Sequence, residues 1–249
     1  MTMDSDDRII ANAHLIAARE RIAAAMLNEA QVAETVGEKT YRRIRTDIVF
    51  GRLAPGERLT LDRMRDAYDA SVGTLREMLS RLSAEGLVVA EGSRGFQVTP
   101  ISAANLREVA AMRCLLETQA LRLSYEAGDM DWEGAVVAAH HKLASMERRM
   151  RAGERSRNAE AWKSYDREFH GALIAACGSE VLLETHRQIY DRYLRYQMIA
   201  AVYRGDVAAA EHRRLLDTAL ARDWKTAQST LTGHVQDCVA YMIGKRLVR

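Results

Sequence analysis

Four side chains in the second half of the chain have the types and spacing of a metal site. Asp166 and His170 are four residues apart, so on a helix they project from one face and can share a ligand. His212 stands near the start of one later helical stretch and His234 in the middle of the next. One carboxylate and three imidazoles form a set that divalent transition metals accept, with positions left open for water or an anion. Zinc is the default for such donors, and nickel or manganese also fits. Taken singly, each histidine reads first as a structural or a solvated one rather than a ligand. The others carry less: His140 and His141 are adjacent and point to different faces, and His14 and His186 lie in polar helix surroundings. None of these is assigned a ligand role.

The elements that must position the four are helices. From Ser102 onward the apolar spacing predicts helices over about 102–127, 131–152, 157–176, 179–203, 205–221 and 223–246. The separators are short and polar or glycine-bearing, which argues for antiparallel neighbours in one bundle. Residues 101–249 therefore read as an all-helical domain.

Residues 57–100 carry a different chemistry. Leu61, Met64, Ala67 and Tyr68 repeat at helical spacing. Ser71 is a good N-cap for a second helix, whose core face carries Leu75, Met78, Leu79 and Leu82. Gly86 stands in the helix-stop position. Residues 87–90 and 95–98 then predict a β-hairpin with Arg94 near its tip, ready to meet phosphate. Helix, turn, helix and wing lay one helix in a DNA groove. The fold class expected is mainly α: an arm over 1–36 that reads as helical (Ile9, Ile10, Ala13, Ile16), a winged helix-turn-helix over 37–100, and the bundle, with Thr99–Ser102 as the linker.

Charge alone does not point to nucleic acid. The net charge is +2, and residues 37–100 hold 11 Lys and Arg against 9 Asp and Glu. The DNA assignment rests on the motif. Cys114, Cys177 and Cys238 have neither metal nor disulfide spacing, which suits a reducing cytoplasm. No secretion leader or membrane-length apolar stretch is seen, so a cytoplasmic protein with no membrane partner is expected.

Residues 41–100 resemble the DNA-binding domain of the GntR family of bacterial transcription regulators. Ile48 through Leu59, with Gly51, Leu53, Pro55 and Gly56, looks like the family's entry segment. Leu75-Arg76-Glu77-Met78-Leu79 followed by Glu85-Gly86-Leu87 looks like its recognition helix. That helix usually begins Ser-Arg-Thr-Pro-Val-Arg; here Ser71, Thr74 and Arg76 match, while Val72 and Gly73 depart. The resemblance makes Ser71, Thr74 and Arg76 candidate phosphate and base contacts. Arg42, Arg43 and Arg45 of the first helix and Arg94 of the wing are expected to supply affinity.

Residues 102–246 resemble the FCD effector domain of the FadR-type branch. Asp166-Arg167-Glu168-Phe169-His170 is similar to its "D..FH" motif, and Glu211-His212 with His234 to its ending. The resemblance implies that Asp166, His170, His212 and His234 hold a metal. It also implies that Arg113, in Arg113-Cys114-Leu115-Leu116-Glu117, reaches into the cavity toward a small carboxylate effector; pairing with Glu117 across one turn is the plainer reading of that arginine. Ser179 stands where the family often has asparagine.

The expected function is a ligand-responsive transcription regulator, most often a repressor in this family. It would act as a homodimer on an inverted-repeat operator, with coupling through the linker at 99–104 and the first bundle helix. The alternative is a metal-dependent hydrolase or lyase with a vestigial DNA-binding domain. Against it, no general base, nucleophile motif or phosphate loop stands out.

Overall fold

A computed structural model describes residues 35–92, 95–152, 155–200 and 202–248, with backbone only at 155–158. The arm expected over 1–36, apart from its last two residues, lies outside the described residues, as do His14 and the wing arginine Arg94.

From Thr40 onward the chain forms one compact unit. Helix α1 (Val36–Val49) buries Tyr41, Ile44, Ile48 and Val49. Helices α2 (Leu61–Tyr68) and α3 (Val72–Ala84) follow, separated by Asp69, whose left-handed backbone ends α2. Ser71 caps α3 by accepting from the Thr74 amide at 3.1 Å. Leu75, Met78, Leu79 and Leu82 are the buried face of α3, as the spacing predicts. On α2, Met64 and Tyr68 are buried but Ala67 is exposed, and Ala70 in the turn takes the inner position. Strands β2 (Val88–Ala90) and β3 (Phe96–Val98) form the expected hairpin. A third strand, β1 (Arg58–Leu59), pairs antiparallel with β3 and gives the sheet order β1-β3-β2.

The second region is six helices: α4 (Ala103–Ala127), α5 (Met130–Arg151), α6 (Arg155–Ile174), α7 (Glu180–Ile199), α8 (Asp206–Leu220) and α9 (Trp224–Gly244). Side-chain caps start four of them: Ser102 on α4, Asp129 on α5, Ser179 on α7 and Asp223 on α9. Ser179 thus caps its helix in the asparagine's place. The bundle core includes Leu106, Leu121, Leu143, Phe169, Leu173, Tyr193, Leu215 and Leu231. Each such side chain contributes roughly 1.5–3 kcal/mol by burial.

Helix α7 serves both cores. Tyr193 belongs to the bundle core, whereas Tyr190 and Leu194 belong to the buried cluster of the winged region. Arg195 donates to the Thr99 carbonyl, and the Tyr196 hydroxyl accepts from the Ser102 amide at 3.4 Å. The linker between the two regions is therefore fastened to α7.

Candidate metal centre and DNA-reading helix

The three histidines meet inside the bundle. His170 on α6, His212 on α8 and His234 on α9 each present a ring nitrogen within 4.8 Å of the other two. All three rings are buried. Asp166 joins them through Oδ1, 3.3 Å from His212 Nε2. Its other oxygen, Oδ2, accepts from the Tyr190 hydroxyl at 3.0 Å and lies 3.4 Å from Lys163 Nζ.

Each imidazole is turned by a glutamate. His170 Nδ1 is 2.5 Å from Glu117 Oε1, His212 Nδ1 is 2.7 Å from Glu147 Oε1, and His234 Nδ1 is 2.6 Å from Glu211 Oε2. A proton held on Nδ1 by a carboxylate leaves Nε2 as the lone-pair nitrogen, the arrangement metal-ligating histidines ordinarily show. His170 Nε2, His212 Nε2 and Asp166 Oδ1 are buried with no hydrogen-bond partner. Buried polar atoms are nearly always satisfied, so convergent orphan acceptors fit a cation. The donor set thus suits a divalent metal on chemistry and on geometry alike.

The electrostatics agree with a cluster built around charge. Burial opposes ionisation of Asp166, but Lys163 and the adjacent histidines hold its carboxyl well below the usual range. Burial likewise opposes Glu117, and Arg113 with His170 holds it low. Burial lowers His170, and it pushes His234 down to about 3 despite Glu211. For His212 the burial penalty is outweighed by Asp166 and Glu147, which lift it to about 9.

Arg113 is fully buried, with its guanidinium between the rings of Tyr190 and Tyr193. Its Nε donates to Glu117 Oε2 at 2.7 Å, so the plainer pairing expected from the sequence is made. Nη1 has no partner. His186 corrects its expected polar setting: it is 3% exposed, with Nε2 3.2 Å from the same Glu117 oxygen. Sequence reasoning missed Glu147, Lys163 and Tyr190, gave Glu117 only its pairing with Arg113, and gave Glu211 no role. Of His140 and His141, the first is buried against Phe169 and the second exposed.

In the winged region, Arg76 is exposed on α3 with no partner among the described residues, and Ser71 and Thr74 stand at that helix's N-terminus. Val72 is exposed beside them. The first-helix arginines Arg43 and Arg45 have partners within the protein. Arg43 donates to the Ala67 carbonyl at 3.1 Å and stacks on Tyr68. Arg45 is paired with Asp191 of α7 at 2.6 Å and Glu85 at 3.3 Å.

Comparison with known proteins decides the family. The gntR-family model of bacterial regulatory proteins matches residues 36–98, and the FCD domain model matches residues 108–237. The HTH-type transcriptional regulator BphR of Paraburkholderia xenovorans is 39% identical over 206 residues, covering 82% of this chain and 83% of its own. The chain belongs to the GntR family, with an FCD domain. Another relative of this GntR regulator is the HTH-type transcriptional repressor GlaR of Escherichia coli, 29% identical over 78% of this chain and 90% of its own. The solved structure of E. coli McbR/YncC covers 85% of the chain with a TM-score of 0.71 at 18% identity, a likeness of fold. BphR and GlaR are transcription regulators, which sets aside the hydrolase or lyase alternative. GntR regulators bind operator DNA and typically act as dimers. Among the described residues no helix is long and apolar enough to cross a membrane.

Proposed function

We propose that this GntR regulator is a metal-containing sensor of a small organic acid that changes its grip on an inverted-repeat operator, most simply as a repressor. The observation that carries the sensing half is the set of three histidines, each with Nδ1 on its own glutamate, and an aspartate oxygen left without a partner beside them. Asp166, His170, His212 and His234 would hold the ion, with zinc the first choice and nickel or manganese the alternatives. When bound, the ion supplies a Lewis-acid point to which a carboxylate oxygen can bind. Arg113 keeps Nη1 as a further donor near the site.

On the DNA side, Arg76, Thr74 and Ser71 are the groups that α3 offers to a groove. A second copy of the chain would supply the other half-site, so operator symmetry mirrors protein symmetry. An apolar groove of about 580 Å³ between α4 and α9, lined by Ala111, Cys114, Val239 and Ile243, with exposed Leu115 also on α4, gives that copy a face to cover.

Binding can alter DNA affinity only through a contact that both sites share. The linker and α4 were the expected route; α7 adds a shorter one. Tyr190 donates to Asp166, and the next residue, Asp191, forms an ion pair with Arg45 of the winged region.

The test uses purified protein on sheared genomic DNA, with retained fragments sequenced and metal measured by mass spectrometry. Wild type should retain a sharp inverted repeat and carry about one metal ion per chain. Arg76→Ala should lose the repeat and keep the metal, since a base contact contributes roughly 1–3 kcal/mol. His212→Ala should lose the metal. Full metal content in His212→Ala would refute the four-ligand site, and undiminished retention by Arg76→Ala would refute its place on DNA.

A further inference from the structure

The charges around the imidazoles do not balance once a divalent ion is added. Arg113, Lys163 and Arg204 face four carboxylates: Glu117, Glu147, Asp166 and Glu211. Exposed Asp237 is solvated and does not enter the balance. With neutral imidazoles the cluster is one charge negative, and a dication makes it one charge positive. An unpaired buried charge is costly, so the loaded site is complementary to one negative charge.

Of the three cations, two are already held. Arg113 has Glu117 on its Nε. Arg204 is gripped by both Glu211 oxygens, at 2.7 and 3.1 Å, and by the His234 carbonyl at 3.0 Å. Lys163 is the exception: buried, it lies 3.4 Å from an Asp166 oxygen that Tyr190 also uses, and otherwise rests on the Trp162 ring at 4.0 Å. Beside it are two further buried atoms without partners, the Trp162 indole N–H and Gln197 Oε1. Lys163, Trp162, Gln197 and the already paired Arg204 line one cavity of about 10 Å³ with Asp166, His212 and His234; Arg113 does not line it. That is room for one water-sized group. An acid entering there needs more room than this, and the flexible lysine stem is the side chain best able to give it.

We propose that Lys163 is the anchor for the effector's negative charge. The Trp162 N–H adds a second donor to the carboxylate, and Gln197 Oε1 accepts from a hydroxyl on the ligand. The ligand class is therefore a small hydroxy-monocarboxylate, neither a dicarboxylate nor a neutral amide. This rests on the metal-sensor reading above.

The full-length protein loaded with cobalt(II) tests it, because the visible absorption of the ion reports an anion arriving at its open positions. Glycolate should bind more tightly than acetate, which lacks the hydroxyl, than malonate, which carries a second charge, and than glycolamide, which carries none. Lys163→Met should weaken glycolate roughly ten- to a hundredfold, the range for losing a hydrogen bond to a charged group, with cobalt content unchanged. Lys163→Arg should recover part of it. Wild-type glycolate affinity in Lys163→Met, malonate binding as well as glycolate, or no acid bound by the cobalt-loaded wild type would each overturn the seat. Failure of the wild type to take up cobalt at all would instead count against the four-ligand site.

Discussion

A histidine becomes a dependable metal ligand when something fixes which nitrogen carries its proton. Here three glutamates do so, each from a different helix than the histidine it serves: Glu117 of α4 for His170, Glu147 of α5 for His212 and Glu211 of α8 for His234. Removing such a partner typically costs 10–100-fold in metal affinity. Glu147→Gln should therefore weaken zinc binding by about that factor while the fold persists, as a chelator competition with circular dichroism would read. Unchanged affinity would make Glu147 a mere neighbour. The four candidate ligands were legible in the sequence because Asp166 and His170 share a helix face and the resemblance to the FCD domain singles out His212 and His234. The glutamates were not, because their partners are fixed by packing. Glu211 shows why: it adjoins His212 in the chain, yet on a helix adjacent residues point apart, and it holds His234 instead.

At the scale of elements, helices were read to within a few residues wherever a cap or glycine marked an end. Ser71, Ser102, Ser179 and Gly86 did this work through ordinary capping chemistry. Strand β1 was missed because two residues cannot display a period of two; Arg58 and Leu59 are a strand only because β3 lies beside them. The ion pair of Arg45 was not legible for a related reason, since α1 shows which residues share its face but not that α7 brings Asp191 to it. One joint admits a sharp test. Gly128, between α4 and α5, has no room for a methyl: a Cβ there would lie 2.5 Å from the Trp132 ring and 2.8 Å from the Ser124 carbonyl. Trp132 cannot easily yield, since its indole N–H donates to the Ala172 carbonyl at 2.9 Å. Gly128→Ala should destabilise the protein by roughly 1–3 kcal/mol, as overpacking does. Chemical denaturation should show a lower midpoint, and an unchanged midpoint would mean that the turn is looser than this geometry allows.

At the scale of the whole molecule, α7 is the element that belongs to both halves. Tyr190 touches Asp166 beside the three histidines through its hydroxyl and the winged region's core through its ring. Asp191, one residue on, is 1% exposed and lies between Arg45 of α1 at 2.6 Å and Arg167 of α6 at 3.1 Å. Arg167 adjoins Asp166 in the chain, so movement of that aspartate on taking up an ion would be felt on both sides of Asp191. Neither the aspartate nor its two arginines lies at a sequence spacing that marks them as a set, which is why the route was expected only at the linker. Asp191→Asn keeps the shape and removes the charge that joins the halves. If the latch transmits, operator affinity measured by fluorescence anisotropy with and without zinc should differ in the wild type by a factor within roughly 5–150, the usual range of such coupling. In Asp191→Asn that factor should fall toward one, with zinc affinity little changed. Arg45→Met should do the same, and the double variant no more than either alone, because both remove one interaction. Wild-type coupling in both single variants would place transmission in the linker and α4 instead.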